Sequence, residues 1–126
     1  MTSTSKSNLT ITKKEPSSID SLFETFSFKS KNFRNRILAP PITNDLADID
    51  GRVTLSQLKH YRTLARQGVG TIIVESAYIS KQGRSHVNQL GISEEEHLEG
   101  LENLARGVKQ EGSCIGIRIT HSGALT

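Results

Sequence analysis

The order of three apolar runs and two amphipathic segments constrains the fold of this chain more than any other feature. The apolar runs lie at 37–39, 71–76 and 114–120 and contain Ile, Leu and Val. Segments 54–68 and 93–112 lie between these runs and carry apolar residues at helical spacing. Strands that alternate with helices indicate a parallel sheet with right-handed crossover connections. The sequence therefore predicts an α/β fold in the order strand, helix, strand, helix, strand.

Both predicted helices begin with the spacing of a capping box, in which side chains satisfy the first free backbone N–H groups. Thr54 and Gln57 have this spacing in the first helix, and Ser93 and Glu96 have it in the second. Gly68 is placed to end the first helix. The predicted core face of that helix consists of Leu55, Leu58, Tyr61, Leu64 and Ala65.

The last apolar run alternates between two kinds of side chain. Ile115, Ile117 and Ile119 share one face of the predicted strand, because successive side chains in a strand point to opposite faces. Arg118 and Thr120 lie on the other face. The sequence therefore predicts that Arg118 points away from the three isoleucines.

The distribution of charge argues against nucleic acid as a partner. The net charge is +3, but residues 1–36 carry seven basic and three acidic side chains. The remaining residues carry nine basic and ten acidic side chains. Binding to a phosphate backbone needs a basic surface on the folded part, so we expect no nucleic-acid partner.

Other features of the sequence limit its location and its chemistry. No stretch approaches the roughly 20 apolar residues of a membrane-spanning helix, and the start has no apolar core of a secretory signal. Cys114 is the single cysteine, which excludes an internal disulfide and a multi-cysteine metal site. We therefore expect a cytoplasmic protein without a membrane partner or a metal. Residues 1–20 are rich in Ser, Thr and Lys and are predicted to form a flexible polar tail before a domain at 21–126.

The ends of the predicted strands are the places to look for function, because parallel α/β folds gather functional groups where strands finish. Those ends lie at 39–43, 75–77 and 118–121 and offer small residues, backbone groups, one cation and one imidazole. This set suits a flat or anionic ligand. The sequence contains neither GxGxxG nor GxxxxGK[ST], so it gives no support for a Rossmann or P-loop nucleotide site.

Several short motifs, taken in order, resemble a known family. They include NRILAP at 35–40, IVES at 73–76, EHLEG at 96–100 and HSG at 121–123. Over about 100 residues, from Leu22 to Gly123, the chain resembles the N-terminal part of the Old Yellow Enzyme family. These proteins are FMN-dependent NAD(P)H oxidoreductases built on a (β/α)8 TIM barrel. The resemblance implies that this chain forms about three βα units of such a barrel.

The resemblance also implies which residues contact the flavin. Ser76 follows the glutamate of the second strand, where the family places a small residue against the ring. Arg118 stands at the position of a glutamine that hydrogen-bonds the pyrimidine edge. In the family the loop after the first strand runs its backbone along the ring, and in this chain that loop comprises Ala39, Pro40, Pro41 and Ile42.

This chain departs from the family pattern at three positions. Arg118 replaces the glutamine, and a cation at that place would still stabilise a reduced, anionic flavin. Ile42 replaces a Thr or Cys that tunes the flavin potential, unless Thr43 takes that role. Ala124 stands where an arginine often follows the histidine motif.

The resemblance implies an activity for the complete enzyme. NAD(P)H would reduce FMN, and an electron-poor alkene such as an α,β-unsaturated carbonyl compound would receive the hydride. A barrel needs about 250 residues, so we expect this chain to be a fragment without turnover by itself. Two alternatives are a non-catalytic remnant that pairs with a separately made C-terminal barrel part, and an unrelated α/β binding module.

Overall fold

The structure, a computed structural model, describes residues 17–125 and has two small sheets and two helices. The strands are β1 (Phe26–Phe28), β2 (Lys31–Phe33), β3 (Leu38–Ala39), β4 (Thr71–Tyr78) and β5 (Cys114–Thr120). The helices are α1 (Leu55–Arg66) and α2 (Leu98–Gln110). Strands β3, β4 and β5 form a parallel sheet in that order, and β1 and β2 form an antiparallel hairpin. The predicted alternation of parallel strands and helices is thus confirmed, whereas the hairpin was not predicted.

Helix α1 begins as predicted, but its core face differs from the predicted one. The backbone N–H of Gln57 donates to Thr54 Oγ1 at 3.1 Å, which caps the helix. The buried residues are Gln57, Tyr61 and Ala65, four residues apart, so they form one stripe. Leu55 lies almost opposite this stripe and is 84% exposed, so its assignment to the core was wrong. The side chain of Gln57 does not return to the cap, because it is buried against the sheet.

Helix α2 begins at Leu98, and the cap predicted at Ser93 is wrong by one residue. A short 3-10 turn, Glu95–His97, precedes the helix, and its N-cap is Glu94 rather than Ser93. The backbone N–H of Glu94 donates to His97 Nδ1 at 3.2 Å. His97 Nε2 lies 3.0 Å from the carbonyl oxygen of Asp50, so both ring nitrogens of this buried histidine have partners. His97 therefore has a structural role at this helix start.

The core lies between the two helices and one face of the parallel sheet. Ile115 and Ile117 pack against it from β5, whereas Ile119 is 62% exposed. Burial of apolar side chains is the main source of stability here, at about 1.5–3 kcal/mol for each large one. The buried cluster consists of Ala47, Tyr61, Ala65, Ile72, Val74, Ala77, Leu90, Leu104 and Val108.

Arg34, directly after the hairpin, closes the end of the sheet at which the strands begin. Its Nη1 donates to the carbonyl oxygen of Glu111 at 2.9 Å. Its Nη2 donates to the carbonyl oxygens of Ala65 and Val69 at 2.5 and 2.6 Å, and to Ser113 Oγ at 2.8 Å. One guanidinium thus adds charged donors to carbonyl groups at the C-terminal ends of both helices, where the regular helical hydrogen bonds run out.

The predicted tail at 1–20 falls mostly on residues 1–16, which lie outside the described residues, so the division at residue 20 stays a prediction. Between residues 17 and 125 no helix has the length and apolar character needed to cross a membrane.

Candidate functional site

A β-bulge in β4 determines which side chains reach each face of the sheet. Val74 pairs with Ile117 and Ser76 pairs with Arg118, so Glu75 is an extra residue between two paired positions. With strict alternation, Ser76 would share the helix-covered face with Val74. The bulge instead turns Ser76 to the face that carries Arg118. We call this side, opposite the helices, the open face.

Ser76 and Arg118 meet on the open face near the ends of β4 and β5. Arg118 Nε donates to Ser76 Oγ at 2.5 Å. Ser76 is 7% exposed, whereas Arg118 is exposed. Among residues 17–125 no acceptor lies within hydrogen-bond distance of the two Nη groups of Arg118. The prediction that Arg118 points away from the isoleucines is confirmed, because Ile115 and Ile117 pack into the core on the other side.

The loop after β3 holds the remaining predicted site residues. Ala39 pairs with Ile72 and packs against the core, so its side chain points away from the open face and only its backbone is free for a ligand. Pro40 and Pro41 follow, and Ile42 is 69% exposed. The structure therefore brings Ser76 and Arg118 into direct contact and places Ala39–Ile42 in the loop along the other side of β4.

A buried polar cluster on the opposite side of the bulge was missed by the sequence analysis. Glu75 is fully buried, and its Oε1 accepts a hydrogen bond from Gln57 Nε2 at 2.6 Å. Its Oε2 accepts from the backbone N–H of Asn44 at 3.3 Å. The hydroxyl oxygen of Tyr61 accepts from the backbone N–H of Glu75 at 3.0 Å and from Asn44 Nδ2 at 3.2 Å. The cluster thus joins β4, α1 and the loop after β3.

The surroundings of this cluster shift the titration of two of its groups. Burial raises the pKa of Glu75 above the usual range of a glutamate, although hydrogen bonds from Asn44 and Gln57 oppose the shift. Burial also raises the pKa of Tyr61 to about 12, and the neighbouring Glu75 carboxylate adds to this rise. No cation donates a hydrogen bond to Glu75 among the described residues, so neutral donors alone contact its carboxylate.

Gln89 ties the loop after β4 to the ends of two strands. Its Nε2 donates to the carbonyl oxygen of Ser76 at 3.1 Å and to Thr120 Oγ1 at 3.3 Å. Its Oε1 accepts from the backbone N–H of Ser85 at 2.7 Å. No sequence pattern singles out Gln89, because its partners come from distant parts of the chain. For Glu75 and Gln57 a signal existed, since each is a polar residue within an apolar strand or on a helix face toward the core.

The arrangement on the open face suits a flat ligand with hydrogen-bond acceptors at its edge. Arg118 offers charged N–H donors, Ser76 orients the guanidinium, and the loop at 39–42 offers backbone groups. In the described part of the chain, no group of three or more His, Cys, Asp or Glu residues is placed to hold a metal ion.

Comparison with known proteins gives consistent matches. The family profile of the NADH:flavin oxidoreductase / NADH oxidase family matches residues 21–126. An NADPH dehydrogenase of Clostridium acetobutylicum is 41% identical over 102 residues, which cover 81% of this chain and 30% of that protein. An NADPH dehydrogenase of Bacillus subtilis is 38% identical over 103 residues, again covering 81% of this chain and 30% of that protein.

A solved structure has the same fold over most of the chain. The old yellow enzyme homologue from Zymomonas mobilis superposes with a TM-score of 0.73 at 28% sequence identity, covering 80% of this chain and 28% of that one. The present chain thus spans about three tenths of the length of the curated relatives that it matches. By its profile match and by its identity to these relatives, the chain belongs to the NADH:flavin oxidoreductase / NADH oxidase family.

Proposed function

We propose that this chain forms one wall of the FMN site of an NAD(P)H oxidoreductase of the ene-reductase type. The observation that carries the proposal is the hydrogen bond between Arg118 Nε and Ser76 Oγ on the open face. It leaves the charged Nη groups of Arg118 available at the strand ends, where parallel α/β folds bind their ligands. FMN with NAD(P)H as reductant is the combination that family membership indicates.

The residues present fit FMN by the chemistry of their donors. The isoalloxazine ring is flat and has acceptors on its pyrimidine edge, which match the free N–H groups of Arg118. Bound FMN would supply hydride transfer from NAD(P)H to a small electron-poor alkene, such as an α,β-unsaturated carbonyl compound. Arg118 would place positive charge at that edge, and Ser76 would hold the guanidinium in place. The backbone of Ala39, Pro40, Pro41 and Ile42 would line the ring.

The extent of the chain leads to a second part of the proposal. The three parallel strands of the described residues would form part of an eight-stranded barrel, and the substrate-binding and proton-donating groups of the complete enzyme would then lie outside them. We therefore expect the 126-residue chain alone to have no sustained turnover. A cytoplasmic location stays a prediction.

Titration of FMN with the 126-residue chain tests this proposal. We expect saturable quenching of flavin fluorescence by the wild-type chain, and weaker binding by at least about tenfold in Arg118→Ala, because a charged hydrogen bond contributes about 1.5–3 kcal/mol. Arg106→Ala is the matched control, since Arg106 is an exposed arginine on α2. The absence of binding by the wild type, or equal loss in both variants, would overturn the assignment of this wall. Sustained NADPH oxidation by the chain would overturn the expected lack of turnover.

A second candidate is a non-catalytic chain that pairs with a separately made polypeptide carrying the rest of a barrel. Within residues 17–125, β5 pairs only with β4, so its other edge is unpaired. Ile119 on this strand is exposed, and an apolar groove of 240 Å³ between α2 and β5 is lined in part by Leu101 and Ile117. Co-purification of a second chain that completes the barrel would favour this candidate over the first.

A further inference from the structure

The bulge at Glu75 sets the direction of two neighbouring side chains in β4. It turns Ser76 toward Arg118 on the open face. It also sends the Glu75 side chain to the opposite side, where Gln57 and Asn44 donate to its two carboxylate oxygens. β-Bulges are frequent beside active sites, where they redirect a side chain. The geometry of one residue thus determines what lies on both sides of the sheet.

The loop after β3 is held at Asn44 by two contacts with this cluster. The backbone N–H of Asn44 donates to Glu75 Oε2 at 3.3 Å, and its Nδ2 donates to the hydroxyl oxygen of Tyr61 at 3.2 Å. Its Oδ1 accepts from the backbone N–H of Leu46 at 3.0 Å, which fixes the turn that follows. At the other end of the loop, Ala39 is fixed by pairing with Ile72. The loop segment 40–43 is therefore anchored at both ends along β4.

We propose that Glu75 is a positioning residue, which from the bulge in β4 holds the loop after β3 in register with Ser76 and Arg118. This inference rests on the proposed function for the identity of the ligand, but the positioning itself is a property of the free chain. Glu75 touches neither Arg118 nor the open face. It acts through Asn44 on the loop and through the bulge on Ser76.

The choice of variants follows from the hydrogen-bond inventory of the cluster. Glu75→Ala removes both acceptors and leaves the N–H groups of Asn44 and Gln57 without their partner. Glu75→Gln preserves the cluster when the amide of Gln57 rotates, because Gln57 Oε1 has no partner in the wild type and can accept from the new amide. The alanine variant should therefore release the loop, and the glutamine variant should restore it.

Amide hydrogen exchange of the 126-residue chain measures this effect without any flavin. We expect Glu75→Ala to speed exchange at residues 43–46 by about tenfold or more over the wild type, whereas core amides of α2 and β4 change far less. Exchange in Glu75→Gln should stay within about threefold of the wild type. Glu111→Gln is the matched control, because it changes a carboxylate to an amide at the opposite end of the sheet. If Glu75→Ala does not fold, Glu75→Met takes its place, since it removes both carboxylate acceptors while keeping a side chain of similar volume.

Two results would overturn the inference. One is unchanged loop exchange in Glu75→Ala, or in Glu75→Met where the alanine variant does not fold. The other is equal acceleration of loop and core amides, which indicates a general loss of stability. FMN titration of the same variants separates this inference from the proposed function. A wild-type chain that binds no FMN contradicts the proposed function only, and the exchange result still decides the role of Glu75.

Discussion

The two ends of the parallel sheet use their buried polar side chains in different ways. Where the strands begin, Arg34 donates to carbonyl groups of both helix ends. Beside it, Glu111 lies 2.7 Å from Arg62 and 3.0 Å from Arg66. Toward the end where the strands finish, Glu75 is contacted by neutral donors, and the cation Arg118 keeps free N–H groups. Charged side chains are thus paired at the end where the strands begin. At the other end, Arg118 keeps N–H groups with which a ligand would form hydrogen bonds.

The two carboxyl groups show this difference most directly. Hydrogen bonds from Arg62, reinforced by Arg66, lower the pKa of Glu111, whereas burial raises the pKa of Glu75. The first group is stabilised as a carboxylate, and the second is destabilised as one. In parallel α/β folds, residues where the strands begin serve stability and residues where they finish carry function, so the contrast agrees with the site proposed above.

The largest effect on stability is expected for a substitution of Arg34, at the end of the sheet where the strands begin. Arg34→Ala removes four hydrogen bonds, three of them to backbone carbonyl groups at or just after the C-terminal ends of the two helices. We expect the free energy of unfolding, measured with urea, to fall by about 3 kcal/mol. Arg106→Ala, an exposed arginine, should change it by less than about 0.5 kcal/mol. Similar values for the two variants would contradict the assigned role of Arg34.

Glu75 and Glu111 should change the pH dependence of stability in opposite directions. The pKa of Glu75 is raised on folding, so its contribution to stability is present below the unfolded value, about 4.3, and is lost as the pH rises through the folded pKa. The pKa of Glu111 is lowered, so its contribution is present above the unfolded value and is lost as the pH falls through the folded pKa.

Single glutamine variants sharpen this comparison. Relative to the wild type, Glu75→Gln should remove a loss of stability that sets in above roughly pH 4, and Glu111→Gln should remove a loss below roughly pH 4. The charged groups that act on Glu75 are Asp45, which raises its pKa, and His86, which lowers it. Both are present in every variant, so the difference from the wild type isolates the substituted group. Parallel stability curves for all three proteins would contradict the predicted signs.

The smallest effect on stability is expected at Ile119, on the helix side of β5. This side chain is exposed and lies on the strand whose outer edge is unpaired among the described residues. Ile119→Lys should reduce aggregation, measured by light scattering, because a charge on an edge strand disfavours pairing with another chain. The free energy of unfolding should change by less than about 0.5 kcal/mol. Unchanged aggregation would show that this edge is not the surface of association.

The sequence predicted the parts of this fold that depend on local pattern. Strands β4 and β5, helix α1 after Thr54 and the orientation of Arg118 all follow from short-range spacing, and the structure confirms them. The hairpin β1–β2 was missed because its strands are three residues long and their pairing depends on few local signals. The cap before α2 was placed one residue early, because the 3-10 turn that leads into the helix begins after Glu94, whose backbone N–H donates to the ring of His97.

The candidate site, like the fold, has features that the sequence predicted and features that only the structure shows. Resemblance singled out Ser76 and Arg118, and the structure brings them into contact, but their role toward FMN stays a prediction. Period-two alternation would have placed Ser76 on the helix-covered face beside Val74, because the bulge cannot be read from local spacing. The sequence predicted Gln57 as the second residue of a capping box. Its side chain instead donates a hydrogen bond to Glu75, which is 18 residues away in the sequence.

The sequence by itself therefore determined the order of elements and the family, because hydrophobic periodicity and motif order depend only on residues close together in the chain. Only the tertiary structure decided which polar groups share a site. The bulge at Glu75, the contact of Asn44 with that carboxylate and the closure of both helix ends by Arg34 each join residues distant in sequence. Burial determines how such groups titrate, and burial is a property of the packed fold rather than of any one segment.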